Sequence, residues 1–328
     1  MHLPTSVRST ARPSLTSPAS SRSLPVRSSS LCSFPSPPSL TRTSPRTGGS
    51  SGIGLEISLT LLANGAKVYI VGNDEDEVRD MAERYSRLIE EQGAKGKIEG
   101  FVGDCSNKAE GERIASEIAK KEEYVTVLFN NAGMMGSPVK LPEEKTGEAY
   151  KKAFFALTDD DFRKVSALNT VGPYFLSIAF LPLLSASKSK APYGDRVRPQ
   201  IINTTSMNGF TKDPDTADRG YPYMLSKAAL AHLTSLLAHD FLPLGVRVNQ
   251  IAPGLFASKM AAPGKAGEWG IADPNVNTAQ YGYSIPAGVA GSTEDVGSVA
   301  LALIVNRFIN GESILVDGGT LLVHPSHY

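Results

Sequence analysis

Thr47-Gly48-Gly49-Ser50-Ser51-Gly52-Ile53-Gly54 is a glycine-rich turn running into a helix, and its reading decides the fold. Gly48 permits a tight turn, Gly52 lets the backbone approach a bound pyrophosphate, and Gly54 allows a helix to pack closely on a sheet. Backbone N–H groups and the positive end of the helix dipole then form an anion site. Such a turn carries this meaning when a buried strand precedes it. Here Ser39-Leu40-Thr41-Arg42-Thr43-Ser44-Pro45-Arg46 precedes it. Leu40 is the one aliphatic residue of that segment, Arg42 and Arg46 fall on the same face of any strand as Leu40, and Pro45 lacks a ladder donor. The turn is therefore a weak signal alone, and the rest of the chain must supply its meaning.

The chain of 328 residues is long enough for one large α/β domain or two small ones, and its apolar fraction of 41% is that of an ordinary globular protein. Net charge is zero but unevenly placed. Residues 1–46 carry Arg8, Arg12, Arg22, Arg27, Arg42 and Arg46 and no acid; the remainder holds 27 basic and 33 acidic residues. A mildly acidic body does not point to nucleic acid. Two cysteines, Cys32 and Cys105, make no disulfide framework, which favours a reducing, cytoplasmic setting. The most apolar run, 174–184, is short and interrupted by Pro182, so no membrane span is expected. The Ser-, Pro- and Arg-rich segment 1–46 has no helical or strand period and reads as a disordered tail. Three readings stand for it: an organelle transit peptide, an untargeted tail, or a segment that is not the domain's natural start.

From residue 47 helix and strand signals alternate. Strands are expected at 67–71, 98–102, 125–129, 200–204, 246–251 and 313–316. Helices are expected at 54–63, 75–92, 108–121, 159–180, 223–240 and 294–304. This order implies right-handed crossovers and a doubly wound parallel sheet of the Rossmann type, covered by helices on both faces, with its first strand missing or replaced. The expected organisation is a tail at 1–46, one domain at 47–320 and a short C-terminal tail at 321–328.

Ligands of such a sheet bind beyond the carboxyl ends of the strands. Asp104, Asn130-Asn131-Ala132-Gly133, Ser206 and Pro253-Gly254 all follow expected strands. Each alone reads as readily as a turn residue; their joint placement is harder to dismiss. Tyr223 and Lys227, four apart at a helix start, share a face. The plainer reading is a surface pair, and the functional one a phenol acid/base with a cation to lower its pKa.

In order along the chain, Thr47-Gly48-x-x-x-Gly52-Ile53-Gly54, Asp104, Asn130-Asn131-Ala132-Gly133, Asn169, Ser206, Tyr223-x-x-x-Lys227, Pro253-Gly254 and Asp317-Gly318-Gly319 resemble the short-chain dehydrogenase/reductase family. The resemblance covers nearly all of 47–319 and none of 1–46. It implies a nicotinamide-dependent oxidoreductase interconverting a ketone or aldehyde and an alcohol. Thr47, Gly48, Gly52, Ile53 and Gly54 would hold the pyrophosphate, Asp104 the adenine and Asn131 the ribose side. Tyr223 would exchange the proton, Lys227 would lower its pKa and bind the nicotinamide ribose, Ser206 would bond the substrate oxygen, and Asn169 would support a proton relay. Lys164 aligns with a basic residue near the cofactor in some members. Phe256 and Ser258 lie where the family closes over the nicotinamide.

Cofactor choice turns on Ile70-Val71-Gly72-Asn73-Asp74. Gly72 takes the position of the ribose-binding acid of NAD users, and Asn73 a position where NADP users often carry Arg. The missing acid favours NADP, whereas a register slip of two would make Asp74 the acid and favour NAD, so NAD is not excluded. Loops 134–158, 207–222 and 255–292 are expected to build an apolar pocket from Met134, Met135, Met207, Phe210, Phe256, Met260, Trp269 and Tyr281. The acidic insert Asp213-Pro214-Asp215-Thr216-Ala217-Asp218 would reshape its mouth. The partners implied are a small carbonyl or alcohol substrate and, by resemblance, a homodimer or homotetramer. No metal is expected, and the five histidines, His324 among them, need no role. The competing reading is a catalytically silent dinucleotide-binding or interaction protein, or a chain that does not fold as written. A transit peptide would precede an intact strand rather than replace it, which favours a mis-assigned or alternatively spliced start.

Overall fold

The computed structural model describes residues 43–47, 49, 52–191, 198–256, 273–275 and 277–328. Among them, seven parallel strands form one sheet: β1 (Thr43–Thr47), β2 (Lys67–Gly72), β3 (Lys97–Val102), β4 (Val127–Asn130), β5 (Gln200–Thr204), β6 (Arg247–Pro253) and β7 (Ser313–Val316). Their order is β3-β2-β1-β4-β5-β6-β7. The helices are α1 (Gly52–Ala63), α2 (Glu75–Glu91), α3 (Lys108–Ala119), α4 (Gly147–Phe154), α5 (Asp159–Ser166), α6 (Gly172–Lys190), α7 (Tyr221–Asp240), α8 (Thr293–Val305) and the single turn α9 (Thr320–Val323). Strand order reverses between β1 and β4, which opens the crevice that doubly wound sheets use for ligands.

Two apolar layers sandwich the sheet. Leu55, Leu62, Ile70, Phe129, Ile202, Val296 and Leu303 join α1 and α8 to one face. Tyr69, Leu128, Ile114, Phe180, Leu184, Ile201 and Leu237 join α3, α6 and α7 to the other. The strands β4, β5 and β6 are buried along their whole length, as a sheet covered on both faces requires, although β5 and β6 carry buried polar residues such as Gln200, Asn203, Arg247 and Asn249. Local signals set the helix starts. Asp74 and Asn107 accept backbone N–H bonds at the starts of α2 and α3, and Thr158 and Ser292 form capping boxes at α5 and α8.

Two features depart from the sequence reading, and a third lies where the sequence expects a missing or replaced strand. The slot of the first strand, which the sequence leaves without an aliphatic segment, is taken by the backbone of Thr43–Thr47. It pairs with β2 over five residues and with β4 only at Arg46 and Thr47. Main-chain pairing does not depend on side-chain polarity, so a polar segment can fill the slot, with the ladder donor of Pro45 missing. Pro182 does not interrupt its helix: α6 runs through it to Lys190, because Phe180, Leu183 and Leu184 bury against the sheet while one backbone donor is lost. The helical run Asp159–Lys190 is long and apolar enough by composition to cross a membrane, but here it supplies core residues to this sandwich. The end of the chain also packs back on the body, with a β-bridge from Ser326 to Thr211.

Glu56 is the misfit of the first layer. It lies on α1 at 1% exposure, and its Oε2 has no hydrogen-bond partner. Burial, and then the nearby charges of Glu294 and Asp295, push its carboxyl up to about 7. Between about pH 4.5 and 7 the folded chain holds a proton here that the unfolded chain has released. The resulting stability is present at low pH and is lost as pH rises through 7. Glu56→Gln is therefore expected to stabilise the fold at pH 8 by about 2–3 kcal/mol and to change little at pH 4.5. Urea unfolding of both proteins at the two pH values reads this; an equal difference at both would contradict it.

Candidate active site

The carboxyl ends of β1, β4, β5 and β6 open on one cavity of about 600 Å³. Gly52 and Ile53 at the start of α1 form part of its wall, with Gly52 in the left-handed region at φ 52°. That backbone conformation suits glycine and turns the chain into α1 beneath the cavity. Asn131, Ala132 and Gly133 follow β4, Ser206 follows β5, and Pro253 to Phe256 leave β6.

The first turn of α7 brings Tyr223 and Lys227 to the same cavity, 7% and 4% exposed. Lys227 Nζ donates to the Thr204 carbonyl at 2.7 Å and stands 5.8 Å from the centre of the Tyr223 ring. Ser206 caps a short 3₁₀ turn, its Oγ accepting the Asn208 N–H at 3.1 Å. That turn lies directly on α7: a Cβ on Gly209 would come within 2.9 Å of the Lys227 backbone. Glycine at 209 thus permits the close approach that sets Ser206 beside the phenol.

Asn169 completes the inner wall. It lies in a π-helical turn, Ala167–Val171, between α5 and α6, and is fully buried. Its amide nitrogen donates to the Met134 carbonyl at 3.0 Å and to Ser226 Oγ at 2.9 Å. Its oxygen accepts the Met134 N–H at 2.9 Å. The side chain thereby fastens the loop after β4 to α7, and a π turn at such a place is a common mark of a functional site.

Electrostatically the site sets a buried cation, Lys227, against a wall that carries Asp215 and Asp218. Burial pushes the Tyr223 phenol up, and the hydrogen bond with Ser206 works in the opposite direction. Burial pushes the Lys227 ammonium down to about 8. Tyr283, from the opposite wall, is pushed up to about 12 by burial and by the neighbouring phenols of Tyr281 and Tyr223.

A family model described as short chain dehydrogenase matches residues 46–269. The chain belongs to the short-chain dehydrogenase family. It is 35% identical over 286 residues to the short-chain dehydrogenase/reductase PhomF' of Diaporthe leptostromiformis, covering 86% of this chain and 92% of that protein. It is 30% identical over 276 residues to the rhamnolipids biosynthesis 3-oxoacyl-acyl-carrier-protein reductase of Pseudomonas aeruginosa, covering 83% and 93%. The solved Pseudomonas aeruginosa RhlG/NADP active-site complex matches with a TM-score of 0.68 at 29% identity, covering 85% of this chain and 96% of that one.

Within this dehydrogenase the named residues fall into three groups. Gly52, Ile53, Asn131, Ser206, Tyr223, Lys227 and Phe256 line the cavity, Asn169 supports it from behind, and Thr47 and Gly54 flank the loop. Asp104, Asn73 and Lys164 do not line it. Asp104 is exposed and its Oδ1 accepts both the backbone N–H and the hydroxyl of Ser106. Asn73 is exposed after β2, and Lys164 is paired with Asp160 on the outside of α5. Gly48, Ser258, Met260 and Trp269 lie outside the described residues. Of the expected pocket residues, Met135, Met207, Phe256 and Tyr281 line the cavity, whereas Phe210 packs on Tyr328. The acidic insert does form a wall, through Asp215 to Asp218. Sequence reasoning missed Thr204, Gly209 and Tyr283. The first two act through backbone geometry and leave no chemical signal, and Tyr283 sits in a long loop with no period.

The two binding-side features that bear on a dinucleotide fit its chemistry. The loop offers backbone at Gly52, and Lys227 retains N–H donors beyond the one bound to Thr204 for ribose hydroxyls. In ¹³Cε-lysine NMR of the cofactor-free protein, one lysine is expected to lose its proton near pH 8, and its signal is expected to vanish in Lys227→Met. All lysines titrating at the ordinary value of about 10.4 would contradict the buried placement.

Proposed function

We propose that this protein reduces a ketone or aldehyde to an alcohol, and catalyses the reverse, with NADP as the hydride carrier. The observation that carries the reading is the convergence of Ser206 hydroxyl, Tyr223 phenol and Lys227 ammonium on one cavity that Gly52 and Ile53 at the start of α1 also line. NADPH, when bound, supplies the hydride. The chain supplies the rest. Ser206 and Tyr223 present two hydroxyl donors to one carbonyl oxygen, where negative charge develops as the bond to carbon forms. Tyr223 then passes its proton to that oxygen, which yields the alcohol. Lys227 faces the phenol from one helical turn away and steadies the charge left on it. A phenol kept protonated by burial is the proton-donating form that the reduction step needs. Phe256, 3% exposed, keeps water from the inner end.

Two features support NADP over NAD. No carboxylate ends β2, where Gly72 and Asn73 stand. Asp74, the alternative acid, is engaged as the cap of α2, its Oδ1 accepting the Glu77 N–H at 2.9 Å. The relative solved with NADP is in line with this choice. The pocket beyond Ser206 is lined by Met135, Met207, Tyr281 and Tyr283, which suits a medium-sized, largely apolar carbonyl compound. We read the working form as a homo-oligomer, by family likeness alone. A second reading, dinucleotide binding without turnover, draws on the polar sequence of β1 beneath the loop.

Steady-state assays with NADPH and a panel of ketones separate the two. Tyr223→Phe is expected to lower kcat/KM by roughly 10²–10⁴-fold. Ser206→Ala is expected to lower it by about 10²-fold. Turnover that survives Tyr223→Phe unchanged would overturn the mechanism, and cofactor binding with no turnover of any ketone would favour the second reading.

A further inference from the structure

The C-terminal segment places an imidazole between the two walls of the substrate side. Asp317 fixes the departure of α9, its Oδ2 accepting the Leu321 N–H at 2.7 Å, and Thr320 is fully buried. Beyond α9 the chain pairs with the strip 210–212: Lys212 N–H donates to the Pro325 carbonyl at 2.6 Å and His327 N–H to the Phe210 carbonyl at 3.0 Å. Tyr328 hydroxyl donates to the Ser313 carbonyl at 2.7 Å and its ring meets Phe210 edge-on. His324 is thus anchored on both sides, and its side chain is only 13% exposed.

Nδ1 of His324 lies 2.7 Å from Asp213 Oδ2, and Nε2 lies 3.2 Å from the Ser284 backbone nitrogen. The carboxylate accepts, so Nδ1 carries a proton toward it; Nε2, which also lies 3.2 Å from the Ser284 carbonyl oxygen, accepts the Ser284 N–H when bare and donates to that carbonyl when protonated. One ring therefore joins Asp213 to Ser284. Each partner leads into the cavity. Asp213 Oδ1 accepts the Asp215 N–H and its carbonyl accepts the Thr216 hydroxyl, which also reaches Asn208 Oδ1 at 2.8 Å. Asn208 N–H in turn bonds Ser206 Oγ. On the other side Tyr283, the residue before Ser284, lines the cavity and packs edge-on against the imidazole at 5.9 Å.

We propose that His324 is a positioning residue for the carbonyl substrate: it clasps the 213–218 wall to the 281–284 wall and so fixes the width of the substrate side of the cavity. The proposal rests on the reading of that cavity as a carbonyl site. His324 touches neither Tyr223 nor Lys227 in the hydrogen-bond network, so its loss acts on substrate placement and not on the proton donor. Both walls belong to segments without regular helix or strand beyond short 3₁₀ turns, Pro214–Ala217 and Thr278–Tyr281. Such segments hold their geometry through a few specific bonds, and among the described residues the clasp joins them across the opening.

The test uses full-length protein and the variants His324→Ala, His324→Gln and Asp213→Ala, with backbone hydrogen exchange and steady-state kinetics side by side. In His324→Ala, peptides covering 211–218 and 281–285 are both expected to exchange roughly tenfold faster. KM for the ketone is expected to rise about fivefold or more, with kcat and the KM for NADPH within about twofold. His324→Gln should recover part of the protection, and Asp213→Ala should reproduce the KM effect from the other partner. Unchanged exchange at either wall, or a fall in kcat together with a weakened NADPH KM, would overturn the clasp. If wild-type protein reduces no carbonyl, the proposed reaction fails and the exchange of the two walls alone decides the clasp.

Discussion

The bond from the Lys227 ammonium to the Thr204 carbonyl is the constraint on which the site depends. It places a cation that, among the described residues, has no carboxylate partner at the end of a central strand, on the floor of the cavity. Burying a charge in this way is costly, which is why the ammonium is pushed down to about 8. The arrangement is held by what surrounds it. Gly209 lets the turn after Ser206 lie against α7, and Asn169 ties α7 to the loop after β4. Phenol, hydroxyl and ammonium come from two elements, β5 and α7, whose relative placement these contacts fix. A stability cost concentrated beside a cavity is the pattern expected where a fold prepares a site for a polar ligand.

Much of this was legible in the sequence because the chemistry is carried by side chains at fixed spacing. Tyr223 and Lys227 had to share a helix face, and Ser206 and Asn131 had to leave strand ends on one side of the sheet. The strand β4 announced itself as a short apolar run. What was not legible works through the backbone or through distance along the chain. The Thr204 carbonyl, the π turn at Asn169 and the close approach at Gly209 have no residue signature. Helix α4 has no buried residue and so no apolar stripe to read. The link between Asp213 and His324 spans 111 residues, and only the folded path of the C-terminus brings them together.

The N-terminal strand is where sequence and architecture pull apart. The sheet demands a central strand before the glycine loop, and the chain offers Thr-Ser-Pro-Arg-Thr. Backbone pairing with β2 meets the demand for hydrogen bonds, while the pairing with β4 is confined to the last two residues. Those two residues are the ones next to the loop. Of the loop, the described residues Gly49 and Gly52 are buried, Gly52 at the start of α1. The function proposed requires that the loop so placed be sufficient to hold a pyrophosphate.

Calorimetric titration of the full-length protein with NADPH, and in parallel with NADH, tests that requirement most directly. The expected result is one site per chain for NADPH, with NADH bound roughly tenfold or more weakly in the absence of an acid at the end of β2. A folded protein that gives no binding heat with either dinucleotide would contradict the reading of the cavity as a cofactor site.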